Sequence, residues 1–207
     1  MFYTYLRGLV TFILWVLNGN AHYHHKELIP SQEENYILVA PHRTWWDPVY
    51  MAFATKPKQF IFMAKKELFS NKLIALLLRS LLSFPVDRKN ADLQSLKRAM
   101  KVLDKGKIFG IFPEGKRSIT GRMDSFEKGT AFLAVRSRAQ IIPIYIHPDS
   151  FRSGRPKMAV GTPIDINDIA ANTKKSILVD VVTDEISDSI DALRIELEAK
   201  LEDNSRE

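Results

Sequence analysis

The stretch "VAPHRTWWDPVYM", residues 39–51, places His42 and Asp47 five positions apart at the end of an apolar run. In one continuous helix, two side chains at that spacing would point about 140° apart around the axis. The run before His42 resembles a strand, and Asp47-Pro48 is typical of a helix N-cap followed by proline at the first helical position. We therefore predict a strand-to-helix loop that turns the Asp47 carboxylate onto the imidazole.

Such a pair could act as a general base. The carboxylate would fix the tautomer of the ring and stabilise the imidazolium that forms when His42 takes a proton. The chain has no cysteine, which excludes a thiolate nucleophile and cysteine-ligated zinc. The activated hydroxyl could then belong to a substrate. A capping aspartate beside a hydrogen-bonded histidine is at least as common a structure, so this block alone favours that alternative over catalysis.

Two further blocks place cations at the ends of apolar runs. In "GIFPEGKRS", a strand-like segment is followed by a turn with one carboxylate and two cations. The carboxyl ends of strands are where α/β sheets usually place ligands, and the forked donors of arginine suit phosphate. In "SFPVDRKN", an arginine again follows such a run. The candidate side chains and turn residues are Arg88, Glu114, Gly115, Lys116 and Arg117.

Charge is divided unevenly along the 207 residues. Residues 1–163 contain 25 Lys and Arg against 12 Asp and Glu, whereas residues 164–207 contain 5 against 12. A basic surface suits phosphate on nucleic acid, on anionic lipid or on a small substrate. The basic residues border leucine runs, and no RNP, zinc-finger or helix-turn-helix pattern is present. We therefore expect a membrane surface and a phosphorylated substrate as partners, and no nucleic acid.

The first apolar segment, "MFYTYLRGLVTFILWVLN", has a single narrow polar stripe at helical spacing. Its uninterrupted part, residues 8–17, would be only about 15 Å long as a helix, roughly half a bilayer core. No basic region precedes it and no small-residue cleavage site follows, which argues against a secretory signal. We predict a helix lying in one membrane leaflet; the alternative is a terminal helix packed on the core.

A second segment, "KKELFSNKLIALLLRSLLSF", is similar in character. Lys65, Lys72 and Arg79 recur every seven residues, and leucines cover most of the remaining positions. As one helix, the segment would present a basic edge beside an apolar surface. Contact with lipid headgroups is one interpretation, and a buried helix with an incidental basic edge is the other.

The remaining elements alternate between strand and helix patterns. Strand-like runs include "YILVAP", "KQFIFMA", "KIFGIFPEG" and "QIIPIYI", and helical patterns include "ADLQSLKRAMKVLDKG" and "GTAFLAVRSRA". After Pro163, apolar residues at helical spacing predict an acidic amphipathic helix that forms a solvated closing element. The pattern predicts one α/β domain over 1–207 with a mixed, mostly parallel sheet flanked by helices. Its parts are an interfacial helix (1–19), a catalytic core (20–165) and an acidic helical element (166–207).

Four blocks, "PHRTWWD", "FPVDR", "FPEGKRS" and "IIPI", occur in an order and at spacings that resemble the motifs of the glycerolipid acyltransferases. The sequence is most similar to the bacterial 1-acyl-sn-glycerol-3-phosphate acyltransferases over roughly residues 20–165. The resemblance implies transfer of a fatty acyl group from an acyl carrier protein or coenzyme A thioester to the 2-hydroxyl of lysophosphatidic acid, giving phosphatidic acid. It also implies the cytoplasmic face of the cell membrane as the location.

The resemblance also implies roles for particular residues. His42 would be the base and Asp47 its partner, while Arg88, Glu114, Gly115 and Arg117, with Lys116 beside them, would bind the acceptor phosphate. No metal and no organic cofactor is required. Trp45 and Trp46 could be acyl-channel walls, interface anchors or core residues, and Pro143 would have a supporting role. Pro41, Thr44, Leu82 and Lys116 differ from the usual residues of these motifs.

Three alternatives stay open at this point. Another lysophospholipid or glycerol 3-phosphate could be the acceptor. A basic peripheral membrane protein without catalytic activity would need only the apolar segments. The histidines in "HYHH", residues 22–25, could bind a metal, although surface histidines are the more common structure.

Overall fold

A computed structural model describes residues 5, 8, 9, 12, 21–30, 35–55, 60–87, 93–117, 125–151 and 155–203. Within these ranges the strands are β1 (His22–His24), β2 (Tyr36–Val39), β3 (Phe60–Lys65), β4 (Phe84–Val86), β5 (Ile108–Ile111), β6 (Gln140–Ile146) and β7 (Lys157–Val160). The helices are α1 (Asp47–Ala54), α2 (Lys72–Ser80), α3 (Leu93–Asp104), α4 (Gly129–Ser137), α5 (Ile166–Asn172) and α6 (Leu178–Asp203). Short 3₁₀ segments lie at Lys26–Leu28, Lys66–Ser70 and Pro148–Phe151.

The strands form one sheet in the order β1-β7-β6-β2-β5-β3-β4. Strands β6, β2, β5, β3 and β4 are parallel to one another, β7 is antiparallel to β6, and β1 is parallel to β7. The predicted α/β fold with a mixed, mostly parallel sheet is therefore confirmed. Because β2 and β5 are adjacent and parallel, with Val39 opposite Ile111, the loops that follow them leave the sheet at the same edge.

Both faces of the sheet are covered, which is why β2 and β6 are continuous apolar runs and do not alternate. One face packs against α3, α4 and α6, and the other packs mainly against α1. The C-terminal helix was expected to be a solvated closing element. As the amphipathic pattern predicts, its apolar face is buried against the sheet, through Leu178, Val182, Ile186, Ile190, Leu193 and Leu197, and its other positions are exposed or half-buried.

The segment predicted as one helix from Lys65 onward is three elements. Lys65 ends strand β3, a 3₁₀ turn follows, and α2 begins only at Lys72. The Asn71 side chain accepts hydrogen bonds from the backbone N–H groups of Leu73 (3.0 Å) and Ile74 (3.2 Å). This N-cap starts a new helix, so the three cations do not lie on one helical face.

Helix α2 ends in a left-handed turn at Leu82, one of the positions that depart from the family motifs. Leu82 has a φ of 61°, in the left-handed region that favours glycine. The N–H of Leu82 donates to the Arg79 carbonyl at 2.9 Å, and the N–H of Ser83 donates to the Leu78 carbonyl at 2.9 Å. This pattern resembles the helix C-terminus that glycine usually occupies, so Leu82 holds a position where a glycine would be unstrained.

The N-terminal segment is described at four helical residues: Tyr5, Gly8, Leu9 and Phe12. The three large side chains are exposed, at 76%, 56% and 60% respectively. The other positions of the predicted interfacial helix lie outside the described residues. No helix within the described ranges combines the length and the apolar character needed to cross a membrane, and contact with one leaflet remains a prediction.

Candidate active site

The loop between β2 and α1 brings His42 and Asp47 together. The imidazole Nδ1 lies 2.9 Å from Asp47 Oδ2, so the contact predicted from the spacing is present. The same oxygen accepts from the backbone N–H groups of Arg43 at 2.6 Å and Thr44 at 2.7 Å. The Thr44 hydroxyl donates to Asp47 Oδ1 at 2.5 Å. Four donors thus surround a carboxylate that is fully buried.

Asp47 was predicted to be the N-cap of the helix, and that assignment is wrong. The N-cap is Trp46, whose carbonyl accepts from the N–H groups of Val49 and Tyr50. Asp47 is the first helical residue, and its side chain turns back into the loop instead of capping its own helix. The reason is competition: the loop offers the carboxylate two N–H groups, a hydroxyl and an imidazole.

Two residues from the loop after β5 complete the surroundings of His42. The Phe112 ring stacks on the imidazole, with centroids 4.2 Å apart and planes inclined by 19°. Glu114 is buried, and its Oε1 accepts from the His42 N–H at 3.3 Å. The imidazole side chain remains 13% exposed. Since Nδ1 faces Asp47, Nε2 is the ring nitrogen available to exchange a proton.

The turn after Glu114 depends on Gly115, which has a φ of 64°. Its N–H donates to the Phe112 carbonyl at 3.1 Å, and a Cβ here would lie 3.1 Å from Glu127 Oε1. The turn presents Lys116 and Arg117 at the surface. It therefore carries two cations to the edge of the sheet at which the His42 loop leaves β2.

Trp45 and Trp46 are exposed, at 61% and 43%, so the core alternative for these side chains is wrong. The Arg117 guanidinium carbon lies 4.2 Å from the centroid of the Trp45 ring, over its face. This cation–π contact joins the loop after β2 to the loop after β5.

Pro143 is buried in β6, opposite Val39 of β2. Its carbonyl accepts from the Gly161 N–H at 2.8 Å. A Cβ on Gly161 would lie 2.8 Å from Pro143 Cγ, so proline and glycine pack face to face. Pro143 thus lies in the strand next to β2, which precedes His42, and its supporting role stays a prediction. Arg88 lies outside the described residues, and its predicted role stays a prediction.

Tyr145 of β6 lies close to Arg43 in the loop that carries His42. Burial raises the pKa of Tyr145 to about 12, so its phenol stays neutral at physiological pH. Its hydroxyl donates to Glu198 Oε1 at 3.3 Å, and the Arg43 guanidinium carbon lies 5.8 Å from its ring centroid. The charge of Arg43 is therefore directed toward the Tyr145 ring in β6.

A protein-family model described as Acyltransferase matches residues 20–147. The chain is 51% identical over 175 residues to the 1-acyl-sn-glycerol-3-phosphate acyltransferase of Streptococcus pneumoniae. The chain belongs to the acyltransferase family. The pneumococcal match covers 82% of this chain and 65% of that relative, so the chain spans less than two thirds of the relative's length.

Two other members of the family are also similar. The 1-acyl-sn-glycerol-3-phosphate acyltransferase of Bacillus subtilis is 33% identical over 163 residues, covering 76% of this chain and 80% of that relative. The crystal structure of the 1-acyl-sn-glycerophosphate (LPA) acyltransferase from Thermotoga maritima superimposes with a TM-score of 0.65. That match covers 86% of this chain and 74% of the other at 22% identity, and it supports the α/β fold.

Beside the His42–Asp47 pair lies a cavity of about 400 Å³. Its walls come from the ends of β3, β4 and β5 and from helices α3 and α4, and they are mainly apolar, including Met63, Val86, Leu96, Ile111, Phe112 and Leu133. Phe112 is shared between this cavity and the imidazole. Across the described ranges, no group of three or more His, Asp or Glu side chains is placed to hold a metal ion.

Sequence patterns did not identify the contribution of Phe112 or Thr44 to the surroundings of the His42–Asp47 pair. Both residues stand within the quoted blocks, but neither an aromatic ring before a proline nor a loop threonine predicts such contacts by itself. The predicted acceptor residue Glu114 is placed beneath the His42 loop, where its carboxylate accepts the His42 N–H. Its observed contact is therefore with the loop that carries His42.

Proposed function

We propose that this acyltransferase moves a fatty acyl group from an acyl carrier protein or coenzyme A thioester to the 2-hydroxyl of lysophosphatidic acid. The observation that carries the proposal is the His42–Asp47 pair, positioned at the same sheet edge as the loop that bears Lys116 and Arg117. The names of the pneumococcal and Bacillus relatives support the same acceptor. The product would be phosphatidic acid.

The chemistry follows from the hydrogen bonds around the imidazole. His42 Nδ1–H donates to Asp47, so Nε2 takes the proton of the acceptor hydroxyl as that oxygen attacks the thioester carbonyl carbon. The carbon–sulfur bond then breaks, and the imidazolium returns the proton to the departing thiolate. Acid–base assistance of this kind typically contributes about 10² to 10⁴ in rate. The buried Asp47 stabilises the imidazolium formed between the two steps.

The surroundings offer separate places for the two ends of the substrates. Arg117 and Lys116 supply cations for the acceptor phosphate, and Arg88 joins them by resemblance to the family motifs. The cavity beside Phe112 has mainly apolar walls, with Asp87, Ser95, Glu127 and Thr130 as its polar lining residues, and mainly apolar walls suit a hydrocarbon chain. No metal and no organic cofactor enters this mechanism.

The test is acyl transfer by the purified protein with a labelled acyl thioester. The acceptors are lysophosphatidic acid, lysophosphatidylcholine, lysophosphatidylethanolamine and glycerol 3-phosphate, and the donors are acyl carrier protein and coenzyme A thioesters. We expect phosphatidic acid as the main product and no turnover by folded His42→Ala protein. A preference for another acceptor would reassign the substrate. Absence of transfer with every acceptor would favour a non-catalytic peripheral membrane protein.

The acceptor site has its own kinetic test. Losing one charge-assisted hydrogen bond typically costs about 1.5 to 3 kcal/mol, or roughly ten- to more than a hundredfold. Arg117→Ala should raise the KM for lysophosphatidic acid by this factor and leave the KM for the thioester nearly unchanged. Lys116→Thr is the matched comparison and should have a smaller effect, because lysine contributes only a point charge. An effect confined to the thioester KM would place the cations at the donor.

We further propose that the protein is peripheral on the cytoplasmic face of the cell membrane. Helix α2 supports this location, because Leu73, Leu76 and Leu77 are 79%, 65% and 52% exposed. Lys72 and Arg79 on the same helix are also exposed. An apolar surface flanked by cations is typical of helices that lie at the surface of anionic lipid.

Flotation with vesicles tests the membrane proposal. Deleting residues 1–19 tests the N-terminal segment, and replacing Leu73, Leu76 and Leu77 together by serine tests α2. We expect each change to weaken binding to vesicles that contain phosphatidylglycerol, and the combination to abolish it. Ile195→Ser on α6, a comparably exposed apolar position at 57%, is the matched control and should float like the wild type. Unchanged flotation of the combined variant would contradict the proposal.

A further inference from the structure

The contact between Arg117 and Trp45 links the two loops of the site. The guanidinium carbon lies 4.2 Å from the ring centroid, although the arginine and the tryptophan are both exposed at the surface. An exposed arginine samples many rotamers and must be ordered when it binds a ligand. A ring against the guanidinium removes part of that freedom before the ligand arrives.

The backbone on both sides of this contact is held by buried groups. The N–H groups of Arg43 and Thr44 donate to the buried Asp47, and the Trp46 N–H donates to Thr44 Oγ1 at 3.2 Å. Trp45 is therefore carried by a loop that is fixed on either side. The Trp45 ring is thus connected through the same loop to the carboxylate that holds the imidazole.

On the other side, Arg117 follows a turn whose base is fixed by Glu114 and Gly115. Glu114 is buried and accepts the His42 N–H, and the Gly115 N–H donates to the Phe112 carbonyl. Trp45 of one loop and Arg117 of the other are exposed, and they meet in the cation–π contact. The arrangement orients the arginine relative to His42 through both loops.

We infer that Trp45 is a positioning residue for Arg117, holding its guanidinium in place for the phosphate monoester of the acceptor. This inference rests on the proposed acyl transfer to lysophosphatidic acid. The guanidinium carbon of Arg117 lies over the face of the Trp45 ring, and arginine carries several N–H donors with which it can bind phosphate. Arg117 can therefore contact the Trp45 ring and bind the phosphate at the same time.

This role separates the effects of Trp45 from those of the dyad. Trp45 acts through Arg117, so its removal should weaken acceptor binding without changing the proton transfer at His42. Since exposed cation–π contacts are modest, Trp45→Leu should raise the KM for lysophosphatidic acid about two- to fivefold. The kcat and the KM for the acyl thioester should stay within error. Trp45→Phe, which keeps an aromatic face, should recover part of the loss.

A double-mutant cycle with Arg117→Ala tests whether the tryptophan acts through the arginine. In the Arg117→Ala background, Trp45→Leu should cause no further rise in the KM for lysophosphatidic acid. Trp46→Leu, which removes the neighbouring exposed indole, is the matched control and should show no coupling to Arg117→Ala. Multiplicative effects of Trp45→Leu and Arg117→Ala, or equal rises in both KM values, would refute the inference.

A binding measurement keeps this test independent of turnover. Short-chain lysophosphatidic acid is titrated by calorimetry into His42→Ala protein with and without Trp45→Leu. The inference is supported if Trp45→Leu weakens binding and has no such effect when Arg117 is also replaced by alanine. Equal affinity of the proteins with and without Trp45→Leu overturns it. If the wild-type protein forms no phosphatidic acid, the proposed function is refuted, and the calorimetric comparison still decides whether Trp45 acts through Arg117. If Trp45→Leu lowers flotation with vesicles equally in the wild-type and the Arg117→Ala backgrounds, Trp45 is a lipid anchor and the inference is overturned.

Discussion

Replacing Asp47 by asparagine removes the charge beside His42 with the smallest change in shape. Oδ2 accepts from His42 Nδ1, the Arg43 N–H and the Thr44 N–H, whereas Oδ1 faces the Thr44 hydroxyl. Three N–H donors at one position should hold the amide oxygen of asparagine there. The amide NH₂ then faces the hydroxyl, which can rotate to accept. Asp47→Ala would instead leave buried donors unsatisfied and would confuse catalysis with folding.

The expected loss follows from the distance between imidazole and carboxylate. At the 2.9 Å separation of Nδ1 and Oδ2, a pair of unit charges interacts by about 6 kcal/mol at an effective dielectric constant of 20. The asparagine retains a neutral hydrogen bond of about 1 kcal/mol, so about 5 kcal/mol of imidazolium stabilisation is lost. We therefore expect kcat to fall about 10³- to 10⁴-fold in Asp47→Asn.

The assay is acyl transfer to lysophosphatidic acid under saturating conditions, with histidine ¹⁵N spectra to identify the protonated ring nitrogen. The Nδ1–H form should persist in Asp47→Asn, and its residual activity should exceed that of His42→Ala. Thr44→Val, which keeps the charge and removes only the hydroxyl donor to Oδ1, should lose only a few-fold. Wild-type kcat in Asp47→Asn would show that the charge is not needed. An Nε2–H ring would show that the amide has turned and would refute the hydrogen-bond reasoning.

Three other predictions concern stability and are measured by thermal unfolding. Gly110→Ala should destabilise the fold by about 1 to 3 kcal/mol, because the new Cβ would lie 2.1 Å from Cζ of the buried Phe60; an unchanged Tm would contradict this packing. Asn71→Ala should cost about 1 kcal/mol by removing the N-cap of α2, and Asn71→Ser, as the control, should retain most of it. The hydrogen bond to Glu196 raises the pKa of His25 above its ordinary 6.5, so its contribution is complete below that value and is lost as pH rises through the folded-state pKa. His25→Asn, which tolerates the left-handed φ of 57°, should lower Tm more at about pH 5.5 than at about pH 8.5; an equal difference at both would contradict the ion pair.

Glu196, the partner of His25, sets the lower limit of the pH range in which this ion pair stabilises the fold. Hydrogen bonds from Lys200 and His25 lower the pKa of Glu196 to about 2, so its contribution is present above its ordinary value of 4.5 and is lost as pH falls through the lowered value. The His25–Glu196 pair, 2.8 Å apart, is therefore strongest between these two limits. It joins the segment after β1 to helix α6.

The sequence determined the local elements of this member of the acyltransferase family where an apolar run was long or was bounded by glycine or proline. The run "QIIPIYI" matches β6 throughout, and Gly129 begins α4 as its position suggested. The spacing of His42 and Asp47, with proline after the aspartate, was enough to predict a loop that pairs them. These features depend on neighbours within a few residues along the chain, which is the range over which periodicity and capping act.

Where the sequence patterns failed, competition among hydrogen bonds decided the local structure. The heptad-like spacing of cations after β3 favoured one helix, but the Asn71 side chain caps a new one. Asp47 looked like an N-cap, but its carboxylate accepts from the preceding loop instead. In both cases a polar side chain had several possible backbone partners, and periodicity does not rank them.

Only the tertiary structure decided which loops form the site. His42 and Glu114 are 72 positions apart, and they meet because β2 and β5 are neighbours in the sheet order. The Phe112 stack, the cavity beside it and the contact of Arg117 with Trp45 follow from the same adjacency. Hydrophobic periodicity predicts that each strand is buried but not which strand lies beside it. That choice is made by packing helices on both faces of the whole sheet at once.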